Sequence, residues 1–294
     1  MLGIDIGGTT IVAAEADLQG NIQRSVRWKV PAAVSAADLL DDLAARVEEN
    51  FKGRFDQAAV GSPGVVDAAA GRVTGLAPNL PEWNGLLLRQ ELERRLQCPV
   101  AVENDVNMAL IGECAKGAGR GRREVALIAM GTGVGGAIAH GGEIYRGAHG
   151  GAGEIGYWIV DRSALDADWM PRGQLESVVG ALGLARRTAK EDAKAVFEAA
   201  RAQNAAARAV VDQAIHALAQ AVVNVATLLD PEVILLGGGL MGSADIILPE
   251  VRRVVAQHCP LPVQVLAASL GTDAGVVGAC HEAALAQLSR LVAS

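Results

Sequence analysis

Aromatic residues are scarce in this sequence. Phe, Trp and Tyr make up 3% of its 294 residues, so Ala, Val, Leu and Ile must fill any core, and a hydrophobic content of 51% supplies them. Dense basic runs are missing too. The net charge is −7, and no stretch of Lys and Arg would neutralise a phosphate backbone, which argues against nucleic acid as the main ligand. Acids or glycines interrupt every apolar run before it reaches the length of a membrane span. The opening Met-Leu-Gly-Ile-Asp carries neither a basic n-region nor a long apolar run, so the expectation is a soluble cytoplasmic chain with no membrane partner. The four cysteines (Cys98, Cys114, Cys259, Cys280) form no C-x-x-C, which leaves no visible zinc knuckle or redox pair and reads as reduced core or surface thiols. His140, His149, His216, His258 and His281 show no metal-ligand spacing, and His149 alone lies near a glycine-rich motif.

Glycine, by contrast, is abundant and ordered. Leu2–Ile6 and Thr10–Ala14 flank Gly7-Gly8 and read as a β-hairpin, with a third strand over Ile22–Val30. Ala37–Phe51 has helical spacing, with Leu39, Leu40, Leu43 and Val47 on one face. Gln57–Val60 reads as a strand running into the Gly61–Asp67 turn. A helix over Leu86–Leu96, a strand over Val100–Val102 and a helix over Val106–Cys114 follow. Gly117–Arg123 lacks hydrophobic periodicity and marks a lobe boundary. Beyond it, Val125–Met130 reads as a buried strand, Gly135–His140 and Glu143–Tyr145 as a hairpin, and Arg172 to about Leu229 as mostly helical. Val233–Leu236 and Val263–Ala267 read as strands, and Ile246–Cys259 and Ala274–Leu291 as helices. Both halves open with a strand, a glycine turn and a strand. The expected fold is α/β with mixed sheets. A small lobe would span 1–117, completed by the C-terminal helix from about 281, and a large lobe 118–280, the two around a cleft.

Four motifs carry the chemistry. In Asp5-Ile6-Gly7-Gly8-Thr9-Thr10, the glycines would let backbone N–H groups reach an anion, the threonines would add donors, and Asp5 would hold Mg²⁺ through water. The plain alternative is an ordinary Gly-Gly hairpin, though an acid in an apolar strand requires a partner. Glu103-Asn104-Asp105 ends a strand and begins a helix. One residue there would serve as an N-cap, but three polar groups exceed what a cap needs, and a carboxylate near a helix N-terminus stays ionised and can take a proton from a hydroxyl. Gly131–Gly136 fits G-x-G-x-x-G, yet a strand follows it rather than a helix, so it reads as a phosphate-binding hairpin and not a dinucleotide fingerprint. Gly238-Gly239 follows a strand and would approach a nucleoside closely. Glu154 and Glu176 suit vicinal hydroxyls, although each alone also reads as a solvated glutamate.

Taken together these motifs resemble the ROK family (repressors, uncharacterised reading frames and sugar kinases), and within it the bacterial glucokinases. Gly61-Ser62-Pro63-Gly64, Asn79–Gly85 and Gly150–Gly156 strengthen the resemblance, which covers essentially the whole chain in order. It implies an actin-like ATPase fold of the ribonuclease H-like type. It also implies ATP-dependent, Mg²⁺-assisted phosphorylation of a hexose 6-hydroxyl, lobe closure that excludes water, and a homodimer. By resemblance Asp105 is the general base. Ser62, Gly64, Asn79, Asn104, Asp105, Glu154, Tyr157 and Glu176 are the sugar site. Gly7, Gly8, Thr9, Thr10, Thr132, Gly133, Gly238 and Gly239 are the ATP site.

The resemblance has one large departure. The family has a histidine shortly after Glu154 and a C-x-C-G-x-x-G-C-x-E run, both of which bind structural zinc. Here Tyr157 holds the histidine position, and in Asp168–Glu176 every cysteine ligand is gone while the final glutamate stays. No zinc is expected, and Trp158, Trp169 and Met170 are the expected anchors of the loop. Glucose is the expected substrate, with mannose, fructose and N-acetylated hexosamines as alternatives. A non-catalytic sugar sensor is the competing class, against which stand the acidic charge and the retained Asp105. A hydrolase of the same fold that takes no sugar is a third.

Overall fold

The computed structural model describes residues 1–30, 35–77, 80–162, 165–170 and 172–293. The chain divides into two compact units, one formed by Met1–Gly117, Arg146–Gly151 and Asp273–Ser294, the other by Ala118–Tyr145 and Ala152–Thr272. The whole last helix, from Ala274, belongs to the first unit, earlier than the expected start near 281.

In the first unit β1 (Leu2–Ile6), β2 (Thr10–Ala16) and β3 (Ile22–Lys29) form the expected antiparallel meander. Helix α1 (Ala36–Asn50) starts where the Ser35 side chain accepts a hydrogen bond from Asp38 N, and it buries Leu39, Leu40, Leu43 and Val47. Next come β4 (Ala58–Ser62), a small hairpin of β5 (Val65–Asp67) and β6 (Arg72–Gly75), α2 (Leu88–Leu96), β7 (Val100–Asn104) and α3 (Asp105–Lys116). The sheet order is β3-β2-β1-β4-β7, with β1, β4 and β7 parallel. Both faces of the parallel part are covered, which is why these strands read as continuous apolar runs. One face packs Leu2, Ile4 and Ile6 with Leu40, Leu43 and Trp83.

The other face is closed by the last helix, Ala274–Ala293. Its Val276 and Cys280 meet Val12 and Ala14, while Ala279 and Ala283 meet Ala59 and Met108. This helix also crosses α3 with backbones in touch: a Cβ placed on Gly278 would collide with the carbonyl of Met108, and one on Gly112 with that of Ala274. The crossing needs residues without side chains, and it fixes α3 directly against the sheet.

The second unit repeats the plan. Strands β8 (Val125–Met130), β9 (Val134–His140) and β10 (Glu143–Ile144) form an antiparallel meander. Four helices follow: α4 (Gln174–Val179), α5 (Ala181–Thr188), α6 (Ala193–Arg201) and α7 (Ala205–Leu229). The unit ends with β11 (Val233–Gly237), α8 (Ala244–His258) and β12 (Gln264–Ala267). The order β10-β9-β8-β11-β12, with β8, β11 and β12 parallel, is that of the first sheet. By length and composition α7 would be apolar enough to cross a membrane. Its Ala219, Ala221, Val222 and Ala226 instead sit in the core with Ile128, Leu236 and Val251, so its hydrophobicity is used for packing.

Candidate active site

Asp105 is the first residue of α3, at the point where β7 ends. The capping role falls on its neighbour. Asn104 Oδ1 accepts from Val106 N at 2.9 Å and Asn107 N at 3.0 Å, and its amide donates to Gly64 O at 3.0 Å. Asn104 therefore ties the helix start to the β4–β5 turn and keeps one amide N–H for another partner, a narrower role than a full sugar ligand. Asp105, half-buried, is held in the first helical turn with Oδ1 2.9 Å from Val106 N. Behind it Glu103 is 4% exposed. Its carboxylate accepts from Asn104 N and Asn107 Nδ2, each at 2.9 Å, and from Arg146 Nε at 2.7 Å. The sequence singles out Glu103 only as a member of the Glu103-Asn104-Asp105 triplet and does not single out Arg146; the arginine immediately before the Gly147–Gly151 stretch was the available signal.

Ser62 is fully enclosed. Its hydroxyl accepts from Trp83 Nε1 at 2.8 Å and donates to Pro63 O at 3.1 Å. This corrects its reading as a sugar ligand: an enclosed hydroxyl with both partners inside the protein supports the Pro63-Gly64 turn instead. Gly64 takes a φ of +89°, and its carbonyl is the acceptor that Asn104 uses. Asn79 lies outside the described residues.

Asp5 sits within β1, opposite Val12 on one side and Gly61 on the other. Burial pushes its pKa up to about 6; nearby Arg27 pulls it down and Asp273 pushes it further up. Gly275, in the first turn of the last helix, lies so close that a Cβ there would strike the Asp5 carboxylate. A buried acid with no tight cationic partner suits the screening of a bound cation, which fits Asp5 to Mg²⁺ held through water. Gly7 N bonds Thr10 O at 2.9 Å and closes the β1–β2 turn, where Gly8 and Thr9 are exposed. Among the described residues no group of three or more His, Cys, Asp or Glu is arranged to hold a metal ion.

In the second unit the β8–β9 turn carries Thr132 and Gly133. Glu176, on α4, reaches this turn: its Oε2 accepts from Val134 N at 3.1 Å, and Oε1 lies 3.3 Å from Arg172 Nη1. Glu154 titrates higher than usual because it is buried and because Glu176 is near. Tyr157 is raised by burial, then by Glu154 and Glu176. These three expected sugar residues thus share one electrostatic neighbourhood.

The loop that bears them is held differently from the expectation. Met170 is 61% exposed and anchors nothing, whereas Trp158 packs on the core. The main fastening is Gln174, 4% exposed, whose Oε1 accepts from Val160 N at 2.6 Å and Asp161 N at 3.2 Å. Backbone contact does the rest. Gly156 lies against Val134 O, and Gly173 against Gly156 O, with no room for a Cβ at either.

Thr132 and Gly239 line one cavity of about 560 Å³, within the range of small-ligand sites. Gly238 has φ +85°, and a Cβ there would strike Met130 O, so the turn after β11 lies flat on β8 and leaves the cavity open. Lys194 and Arg201, on α6, line the same cavity together with Asp192 and Glu198, and the two cations are paired with Glu198 and Asp245. In the sequence this stretch reads only as mostly helical, and neither Lys194 nor Arg201 is singled out.

The ROK family profile matches residues 1–287. The chain belongs to the ROK family. A glucokinase of Halalkalibacterium halodurans is 34% identical, the match covering 94% of this chain and 92% of that protein. One of Thermotoga maritima is 29% identical, covering 95% of each. The ROK glucokinase of Streptomyces griseus, solved with glucose and AMPPNP, superposes with a TM-score of 0.82 at 29% identity over 96% of this chain and 98% of that one. The fold of this ROK protein is accordingly the actin-like ATPase fold, with its two similar sheets.

Proposed function

We propose that this ROK protein is an ATP-dependent hexose 6-phosphotransferase, with glucose as the preferred acceptor. The observation that carries the reading is the placing of Asp105: the helix cap is made by Asn104, and the Asp105 carboxylate stands beside it in the first turn of α3. Its place at a helix N-terminus favours the ionised form that a general base needs. Asp105 takes the proton of the 6-hydroxyl as that oxygen bonds to the γ-phosphorus. The bond from phosphorus to the β-bridging oxygen breaks, and ADP leaves. Glu154, Tyr157 and Glu176 hold sugar hydroxyls, and Asn104 gives its remaining N–H. The backbone of Gly7–Thr10 and of Thr132-Gly133 holds phosphate oxygens, and Gly238-Gly239 seats the nucleoside. Asp5 would hold Mg²⁺ through water, and the ion would supply screening of phosphate charge.

The glucokinase names of the relatives support glucose. Tyr157 in place of the family histidine is the position at which another hexose would be selected. A cytoplasmic homodimer without structural zinc, and with neither nucleic acid nor membrane as partner, completes the proposal. Light scattering on the purified protein checks the dimer.

The test is an ADP-release assay with Mg-ATP against glucose, mannose, fructose and N-acetylated hexosamines, with zinc chelated. Turnover on glucose is expected. Turnover only on another hexose keeps the mechanism and moves the specificity. Sugar binding without any turnover would make the protein a sensor and overturn the proposal.

A further inference from the structure

A second cavity, of about 460 Å³, shares Thr132 with the nucleotide pocket and extends past Glu176 to α5 and α7. Three arginines line it (Arg172, Arg186 and Arg187), and among the described lining residues Glu176 is the sole carboxylate. Arg172 is paired with that carboxylate. The guanidinium of Arg186, an exposed residue, has no ion pair or hydrogen bond among the described residues. Arg187 donates to Val178 O at 3.0 Å and to Gln213 Oε1, two neutral acceptors. These bonds orient its guanidinium and leave others of its five N–H donors unused. Arg187 is an exposed residue, yet the walls desolvate part of its side chain and push its pKa down.

Two uncompensated positive charges in one cavity stand out in a chain of net charge −7. Low-dielectric walls focus their field on whatever enters. Planar guanidinium groups match phosphate oxygens in geometry as well as charge. The cavity is larger than a lone phosphate requires, and Trp169 and Leu182 add an apolar wall.

We propose that this cavity binds a phosphate-bearing anion, with Arg186 and Arg187 as its donors. The phosphate comes either from an inorganic phosphate chain or from a phosphate monoester of a sugar. In the second case a kinase would sense its own product in a cavity that adjoins its nucleotide pocket at Thr132.

Calorimetry on nucleotide-free protein at constant ionic strength, with tripolyphosphate in one arm and hexose 6-phosphate in the other, separates the two sources. One of them is expected to bind. The double variant Arg186→Gln/Arg187→Gln should bind it at least tenfold more weakly, while Arg208→Gln, on the exposed part of α7, should match the parent. Arg186 makes no contact that folding needs, so Arg186→Glu alone serves as a second variant and should weaken binding at least as much as Arg186→Gln. The proposal is overturned if neither anion binds the parent, or if the double variant binds as tightly as the parent. Turnover with Mg-ATP, measured on the same samples, reports on the kinase assignment independently: a parent without turnover sinks that assignment and leaves the anion result standing.

Discussion

Arg146 Nε lies 2.7 Å from Glu103 Oε2, joining residues 43 positions apart directly behind the strand end that presents Asp105. The pair is asymmetric, for the glutamate is enclosed and the arginine 44% exposed. Arg146→Met therefore leaves a buried carboxylate without its cation, while water replaces part of the lost interaction. We expect a loss of about 1–2 kcal/mol in urea unfolding. The double variant Glu103→Gln/Arg146→Met should lose less than the two single variants summed, as coupling through one contact requires.

Asp105→Asn keeps the shape of the helix start and removes the base. The expected outcome is a fall in kcat of about 10²- to 10⁴-fold with the sugar KM changed little, measured beside an unaltered circular dichroism spectrum. Full activity in this variant would end the mechanism proposed here.

Asp5 gives a pH signature of defined sign. Its folded pKa is about 6 against a usual 3.8, so between those values the folded chain holds a proton that the unfolded chain releases. Stability then falls as pH rises through that window, by at most about 3 kcal/mol. Unfolding of the parent and of Asp5→Asn, compared at pH 4.5 and pH 7, should show the parent losing ground relative to the variant. The Mg²⁺ dependence of turnover should weaken below about pH 6 in the parent, because the protonated acid no longer attracts the hydrated ion.

The Gln174 side-chain carbonyl accepts two backbone N–H groups, from Val160 and Asp161. Gln174→Leu would take this acceptor from both donors, one on half-buried Val160 and one on exposed Asp161. We expect a cost of about 2 kcal/mol and a raised sugar KM, since the same loop carries Glu154 and Tyr157. A zinc-selective chelator should leave the Tm of the parent unchanged.

Tyr157→Phe removes only a hydroxyl. If that group holds the sugar, KM for the preferred hexose rises about 5- to 10-fold with kcat nearly constant. An unchanged KM assigns Tyr157 to the wall of the site rather than to recognition.

Much of this was legible in the sequence because it was local. The glycine turns at Gly7-Gly8 and Gly131–Gly136, the period of α1 and the cap at Asn104 each depend on residues a few positions apart. Glu103 with Arg146, and Arg187 with Gln213, are made by the topology, and no spacing rule reaches them. Ser62 was misjudged because its motif places it beside the candidate sugar site, while its partner Trp83 turns its hydroxyl inward. Met170 was misjudged for the opposite reason: a large apolar residue was assigned to packing, yet the loop is fastened by an amide and by bare backbone.

The last helix has a consequence for how the chain is made. The N-terminal sheet emerges first, but on the face bearing Ala59 and Val12, where α3 contributes Met108, the cover is completed by residues of Ala274–Ala293. At ordinary ribosomal speeds, the synthesis of the intervening second unit takes roughly 10–30 s. Throughout that interval the nascent first unit presents an apolar, half-finished sheet, so its folding is posttranslational in effect, and a stalled or prematurely terminated chain is a natural client for chaperones.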